Sequence, residues 1–403
     1  MALTLADIRA ARERIRGGIV ETPVVPALAL PRPLPFPLYL KLENTQRTGS
    51  FKDRGALNRL LQLTQEERAR GLVTASAGNH AQAVAYHGQR IGAKVEVVMP
   101  EHTPLIKVMN TQRFGAGVRF HGATLSDSMV EARRLEAEEG RVFVHAFDDE
   151  QVIGGQGTIG LELLEQVPDL TAVIVPIGGG GMISGIAMAI REQKPNVRVF
   201  GVEAANAASA LASRQAGTIM PIETSDTIAD GIAVKRVGDH TFPLIQKYVE
   251  DIVTVDEAEI AGAVHVLLEH QKTLAEGAGA APLAALLAGR LPLDENDVAV
   301  TIVSGGNIDV SLVDRIVERG RVQDGRLTRL SVAVPDRPGN LARLTRLVAE
   351  EGANVIDIAH SRAFADVSVR HVEIVMQLET RSSDHRMAVI RRLELDGYTV
   401  SGP

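Results

Sequence analysis

Gly49-Ser50-Phe51-Lys52-Asp53-Arg54-Gly55-Ala56 decides how this chain is read. Ser50 is placed to cap a helix, Asp53 three residues on completes a capping box, and Leu57, Leu60 and Leu61 continue the helix. Lys52 then stands in the first turn, beside amides with no partner inside the helix. The partial positive charge there disfavours an ammonium, which suits a lysine acting as nucleophile and base. A lone lysine at a charged helix start is ordinarily just solvated, so the reading depends on what the rest of the chain supplies.

Three further segments supply it. Leu72-Val73-Thr74-Ala75 reads as a buried strand, and Ser76-Ala77-Gly78-Asn79-His80 as the tight connection into a helix beginning near His80. Successive amides at such a start can hold an anion the size of a carboxylate, and Asn79 adds a side-chain amide. An ordinary turn capped by Ser76 would look the same in isolation. Pro176-Ile177-Gly178-Gly179-Gly180-Gly181-Met182 follows a strand and precedes a helix over 183–192. Only glycine lets so many amides close around a phosphate without a side-chain clash. A dinucleotide site competes here, with Glu203 ending the next strand as a ribose-binding acid, but Gly185 falls too late for the G-x-G-x-x-G spacing. Val300 to Val303 is a buried-strand pattern ending at Ser304-Gly305-Gly306-Asn307. A hydroxyl there could face a pyridine-type nitrogen and leave it largely unprotonated, or be no more than a serine in a glycine turn.

Composition narrows the field. With 403 residues the chain exceeds one ordinary domain. Its 50 acids against 43 bases offer no general attraction for nucleic acid. Zero cysteines exclude disulfides, thiolate nucleophiles and cysteine metal clusters. Aromatic content of 3%, with no tryptophan, argues against a base-stacking surface. The first residues lack the apolar core of a signal peptide and no apolar run is long enough to span a bilayer. A cytoplasmic protein with no membrane partner is expected.

Short apolar runs at 38–42, 94–99, 142–146, 172–175 and 197–202 read as strands, with helical spacing at 126–139 and 160–166 between them. That alternation implies a largely parallel α/β architecture. Pro31, Pro33, Pro35 and Pro37 block helix and favour an extended crossing segment. The polar stretch 318–326 reads as a linker. After it come a strand at 330–334, the turn Asp336-Arg337-Pro338-Gly339-Asn340, a helix at 341–351, strands at 354–361 and 369–378, a helix at 383–393 and a strand at 398–400. The order β-α-β-β-α-β is the ferredoxin-like, α+β arrangement. The expected division is a catalytic domain over 1–320, a linker over 321–329 and a second domain over 330–403.

Together these motifs resemble the fold-type II pyridoxal-phosphate enzymes, in particular the threonine and serine dehydratase group, over about residues 5 to 315. Thr227-Ile228-Ala229-Asp230-Gly231 and Ala275-Glu276-Gly277-Ala278-Gly279-Ala280 match segments of the same group. The C-terminal part resembles an ACT domain, an amino-acid-sensing module. The resemblance implies a two-lobed, tryptophan-synthase-β-like catalytic domain that binds pyridoxal 5'-phosphate. It implies that Lys52 carries the cofactor, Phe51 packs on its ring, Asn79 bonds its phenolic oxygen and Ser304 meets its nitrogen. Gly178, Gly179, Gly180, Gly181 and Met182 would hold the phosphate, and Ser76, Ala77, Gly78, Asn79 and His80 the substrate carboxylate. The expected reaction is β-elimination of L-threonine to 2-oxobutanoate and ammonia, and of L-serine to pyruvate. No acidic side chain in the motifs is placed to protonate the leaving oxygen, which leaves the cofactor phosphate as donor.

Two departures refine this. Related serine racemases carry a second serine where this chain has Ala77, so elimination should dominate over racemisation. They also bind a divalent ion through two carboxylates beyond the strand ending at Glu203, where the second position here is Ser209; no metal is expected. The ACT resemblance implies an amino-acid effector at Pro338, Gly339 and Asn340, and paired modules, hence a homodimer or homotetramer. Isoleucine or valine would suit a biosynthetic enzyme. A serine-preferring dehydratase or racemase, and an amino-acid-sensing binding protein on the same scaffold, remain the alternatives; intact Lys52, Asn79 and Ser304 argue against the latter.

Overall fold

Strands such as Val173 to Val175 carry no polar alternation, so both faces of their sheet must be covered. The computed structural model describes residues 3–28, 30–361, 368 and 370–402, and divides into two units, Met1–Asp309 and Val310–Pro403.

Among the described residues the first unit holds ten strands: β1 (Val24–Pro26), β2 (Leu38–Leu42), β3 (Leu72–Ala75), β4 (Val95–Met99), β5 (Gly117–Phe120), β6 (Val142–Phe143), β7 (Ala172–Pro176), β8 (Arg198–Ala204), β9 (Asp251–Val255) and β10 (Ala299–Val303). They form two sheets, giving two lobes. One runs β1-β2-β10-β7-β8-β9, all parallel except β1; the other runs β5-β4-β3-β6, all parallel. Each sheet has its own apolar core, one centred on Val173, Val175, Ile183 and Ile186, the other on Leu60, Leu72, Val84 and Val97. The proline segment 31–37 is free of helix, but it bends rather than running extended.

The helix Lys52–Leu61 packs between the helices Asn79–Arg90 and Glu150–Gln166. The latter begins ten residues before the helical spacing at 160–166 suggests, capped by Asp149, whose carboxylate accepts from the amides of Gln151 and Val152. Gly154, Gly155 and Gly157 lie in its first turns and disguise it. Gly155 is there for close approach: a methyl on it would stand 2.6 Å from Arg54 O and 2.7 Å from Gly55 Cα.

In the second unit, the helix Val310–Gln323 runs through much of the polar stretch. β11 (Leu327–Pro335), β12 (Asn354–Ser361), β13 (His371–Glu379) and β14 (Thr399–Ser401) form an antiparallel sheet in the order β12-β13-β11-β14. The helices Asn340–Glu350 and Ser383–Leu395 complete the β-α-β-β-α-β order. Leu330, Val332, Val334, Ile374 and Met376, at alternate strand positions, pack in the core with Leu344 of the helix Asn340–Glu350. Val369, expected to begin a strand, lies outside the described residues. Among the described residues no helix is long and apolar enough to cross a membrane.

Candidate active site

Lys52 is the first residue of its helix, but the expected Ser50 cap does not form. Phe51 takes the cap position without a side-chain bond, and the Ser50 backbone pairs instead with Gly305 across an antiparallel bridge. Asp53 turns back to Thr48, accepting from its amide at 3.0 Å and its hydroxyl at 2.7 Å. The local sequence satisfies a capping pattern, but the Ser50 backbone is committed to the long-range bridge with Gly305. Gly306 N donates to Gly49 O at 2.9 Å and Phe51 N to Ser304 O at 3.0 Å, so the lysine and Ser304 segments are zipped together.

Beyond Asp53, Arg54 is wholly buried and forks onto two carboxylates. It bonds Glu43 at 2.7 and 2.8 Å and Glu162 at 2.5 and 2.8 Å. Lys41 adds a second cation, donating to Glu162 at 2.6 Å. Two cations and two anions balance, as burial demands. Lys52 is thereby fixed from its C-terminal side by residues in three other elements.

The Lys52 ammonium donates to Ala146 O at 2.7 Å and lies 5.1 Å from the centre of the Phe51 ring. Burial lowers its pKa to about 8, with Glu276 opposing. It therefore yields a neutral amine far more readily than a solvated lysine does.

Asn79 opens its helix after the cap residue Gly78. Its side-chain oxygen accepts from Asn307 Nδ2 at 2.7 Å, and its Nδ2 donates to Glu276 Oε1 at 2.7 Å. Asn307 Nδ2 also donates to Thr48 O at 2.8 Å. A main-chain carbonyl can only accept, so Thr48 fixes the direction of the whole series. Asn79 is left with one amide hydrogen that has no partner among the described residues. Ser76 Oγ accepts from Gly78 N. His80 contributes only backbone to the loop: its ring is buried on Val144 O at 3.0 Å, and burial lowers its pKa to about 3, keeping it neutral.

Gly180 has φ of +92°, a conformation glycine alone adopts easily, and Gly181 begins the helix Gly181–Arg191. Gly179 packs against the ring of Phe147, next to the Ala146 carbonyl that Lys52 engages. Met182 is buried behind the loop and Ser304 is buried at the end of β10. A methyl on Gly178 would come 3.1 Å from Ile232 Cα, and one on Gly277 2.4 Å from Ile228 O. All four motifs, with the 227–231 and 275–280 segments, thus close into one ring of contacts.

The sequence assigns no individual role to Glu276, Asn307, Ala146 or Phe147, although Glu276 and Asn307 lie within quoted motifs. The one available signal was an acid at 276 among alanines and glycines that start a buried helix.

Glu203 is committed elsewhere. Its two oxygens accept from the amides of Ala210 and Leu211, each at 2.8 Å, and burial raises its pKa to about 7. In the second unit Gly339, with φ of +91°, precedes the helix Asn340–Glu350, and Asn340 Nδ2 ties back to Pro335 O.

The residues fit pyridoxal phosphate on their own chemistry. An amine with a lowered pKa suits its aldehyde, glycine amides at a helix start suit its phosphate, and a spare amide N–H suits its phenolic oxygen.

Residues 15–305 match the family described as "Pyridoxal-phosphate dependent enzyme", and residues 328–394 match the ACT domain. The chain is 44% identical over 398 residues to the L-threonine ammonia-lyase of Thermotoga maritima, covering 99% of each. It is 46% identical over 393 residues to the L-threonine ammonia-lyase of Geobacter sulfurreducens, covering 98% of each. The processed form of threonine deaminase isoform 2 from Solanum lycopersicum superposes with a TM-score of 0.71 at 36% identity, over 78% of this chain and 91% of that one. The chain therefore belongs to the pyridoxal-phosphate-dependent enzymes, as a carbon–nitrogen lyase of the threonine ammonia-lyase family with a C-terminal ACT domain.

Proposed function

We propose that the chain converts L-threonine to 2-oxobutanoate and ammonia, and L-serine to pyruvate and ammonia. The observation that carries this is the Lys52 amine, half-buried, with its pKa lowered to about 8, at the point where the 76–80, 178–182 and 304–307 segments meet. Bound pyridoxal phosphate supplies an electron sink that makes the substrate Cα proton removable. Lys52 would hold the cofactor, and its amine would be the base that takes that proton. Phe51 would pack on the ring, Asn79 would donate to the phenolic oxygen and Ser304 would face the nitrogen, where a hydroxyl would leave it largely unprotonated. The amides from Gly178 to Met182 hold the phosphate, and those from Ser76 to His80 hold the substrate carboxylate. Ala77 offers no second base on the opposite face, which supports elimination over racemisation.

In the ACT domain, Pro338, Gly339 and Asn340 form an amino-acid effector site that two modules complete, so the protein works as a homodimer or homotetramer. Isoleucine is the effector to try first, because it is made from 2-oxobutanoate. The test is 2-oxo acid release from L-threonine and L-serine, with and without isoleucine, alongside the mass in solution. Release of 2-oxobutanoate supports the assignment, and D-serine formation without 2-oxo acid overturns it.

A further inference from the structure

Glu276 is the only acid in the run Ala275 to Ala280, and its side chain does not cap the helix it precedes. Its backbone N–H donates to Gly305 O at 3.0 Å, while Oε1 accepts from Asn79 at 2.7 Å. Gly305 makes room for it: a methyl there would stand 2.4 Å from Oε1. This carboxyl is therefore built into the site, 5% exposed, against the same loop that carries Ser304.

Three charged groups face it. Lys52 lies on the helix Lys52–Leu61, Lys107 on the helix Leu105–Gln112, and Asp230 in the turn Asp230–Ile232. Lys107 is paired with Asp230, and both lysines favour the charged form of Glu276, Lys107 more than Lys52. Burial and Asp230 outweigh the favourable contacts and push the Glu276 pKa up to about 8.

We propose that Glu276 is a positioning residue, which takes one amide hydrogen of Asn79 and thereby aims the other at the phenolic oxygen of the cofactor. The inference rests on the reading of Asn79 given above. Thr48 and Asn307 fix the Asn79 oxygen from one side, and Glu276 fixes the nitrogen from the other. A neutral carboxyl does this through its carbonyl oxygen without adding charge. An ionised one would repel the anionic phenolic oxygen and compete with it for the same hydrogens.

The test compares wild type, Glu276→Gln and Glu276→Ala, as holoenzyme and after cofactor removal. Glutamine keeps an accepting oxygen but cannot ionise. In wild type, kcat/KM for L-threonine should fall on the alkaline side with a midpoint near about 8, and in Glu276→Gln that fall should disappear. Glu276→Ala should bind pyridoxal phosphate roughly tenfold more weakly than Glu276→Gln, the value of one hydrogen bond. Cofactor-free protein gives a readout independent of activity. A folded pKa raised from 4.5 to about 8 means the unfolded chain releases its proton first, so wild type should lose stability as pH rises through that window. Glu276→Gln should lack that component of the slope. The proposal is overturned if Glu276→Gln keeps the alkaline fall and the stability slope, or if it binds cofactor as weakly as Glu276→Ala. Wild type that takes up no pyridoxal phosphate would overturn the reading of Asn79, and the stability slope of the cofactor-free protein would still report on Glu276 separately.

Discussion

Asn307 Nδ2 donates to Asn79 Oδ1 at 2.7 Å, joining two loops that are 228 residues apart in the chain. The same nitrogen donates to Thr48 O, so one side chain ties together the segments of Lys52, Asn79 and Ser304. Its polarity is set by a backbone carbonyl, which makes the orientation of Asn79 a property of the fold.

Replacing Asn307 with aspartate removes both donors while keeping the shape. The Asn79 oxygen and the Thr48 carbonyl would each lose a partner, at about 1–3 kcal/mol for an unsatisfied buried group. Asn307→Asp should therefore weaken pyridoxal-phosphate affinity by roughly tenfold or more, measured by equilibrium titration, with kcat/KM falling in parallel.

Lys52 should react as an amine with a pKa of about 8. A solvated lysine titrates near ~10.4. The rate at which cofactor-free protein captures pyridoxal phosphate should rise with pH through a midpoint near 8, since capture needs the neutral amine. A midpoint near that of a free lysine would show that burial does not tune this group.

The Lys41–Glu162–Arg54–Glu43 cluster holds the residues just after Lys52. Glu162→Gln leaves two buried cations facing one carboxylate. Breaking such a buried pair costs about 3–5 kcal/mol. Denaturant unfolding should show a loss of that order, whereas substituting the exposed Glu223, paired with Lys235 at the surface, should cost less than about 1 kcal/mol.

In the proposed reaction, Ala77 leaves the second face of the substrate without a proton-transfer group. Ala77→Ser should add D-serine formation from L-serine, at the cost of part of the elimination rate. A positioned acid or base contributes about 10²–10⁴-fold, so a gain well above the wild-type background is expected. Chiral amino-acid analysis after incubation with L-serine reads both products.

The four motifs are legible because each is a short contiguous stretch of distinctive residue types, and the fold brings them together. The ferredoxin-like order of the second unit is legible for a different reason: buried positions alternate with more exposed ones along β13 and along β11 from Arg329 onward. What was hidden depended on distant neighbours. The helix Glu150–Gln166 looked broken because Gly154, Gly155 and Gly157 resemble a loop, yet Gly155 is what lets that helix approach the backbone of Arg54 and Gly55. Ser50 satisfied a capping pattern that its bridge to Gly305 overrode. Glu276 meets Asn79 across 197 residues, a pairing that no local pattern encodes.

The central claim is that Lys52 carries the cofactor. Reduction of the holoenzyme with borohydride, followed by proteolysis and mass spectrometry, locates the pyridoxyl group directly. The account predicts a single labelled peptide containing Lys52, and no label or visible absorbance in Lys52→Ala. A label on another lysine, or a Lys52→Ala protein that still absorbs and labels, would contradict it.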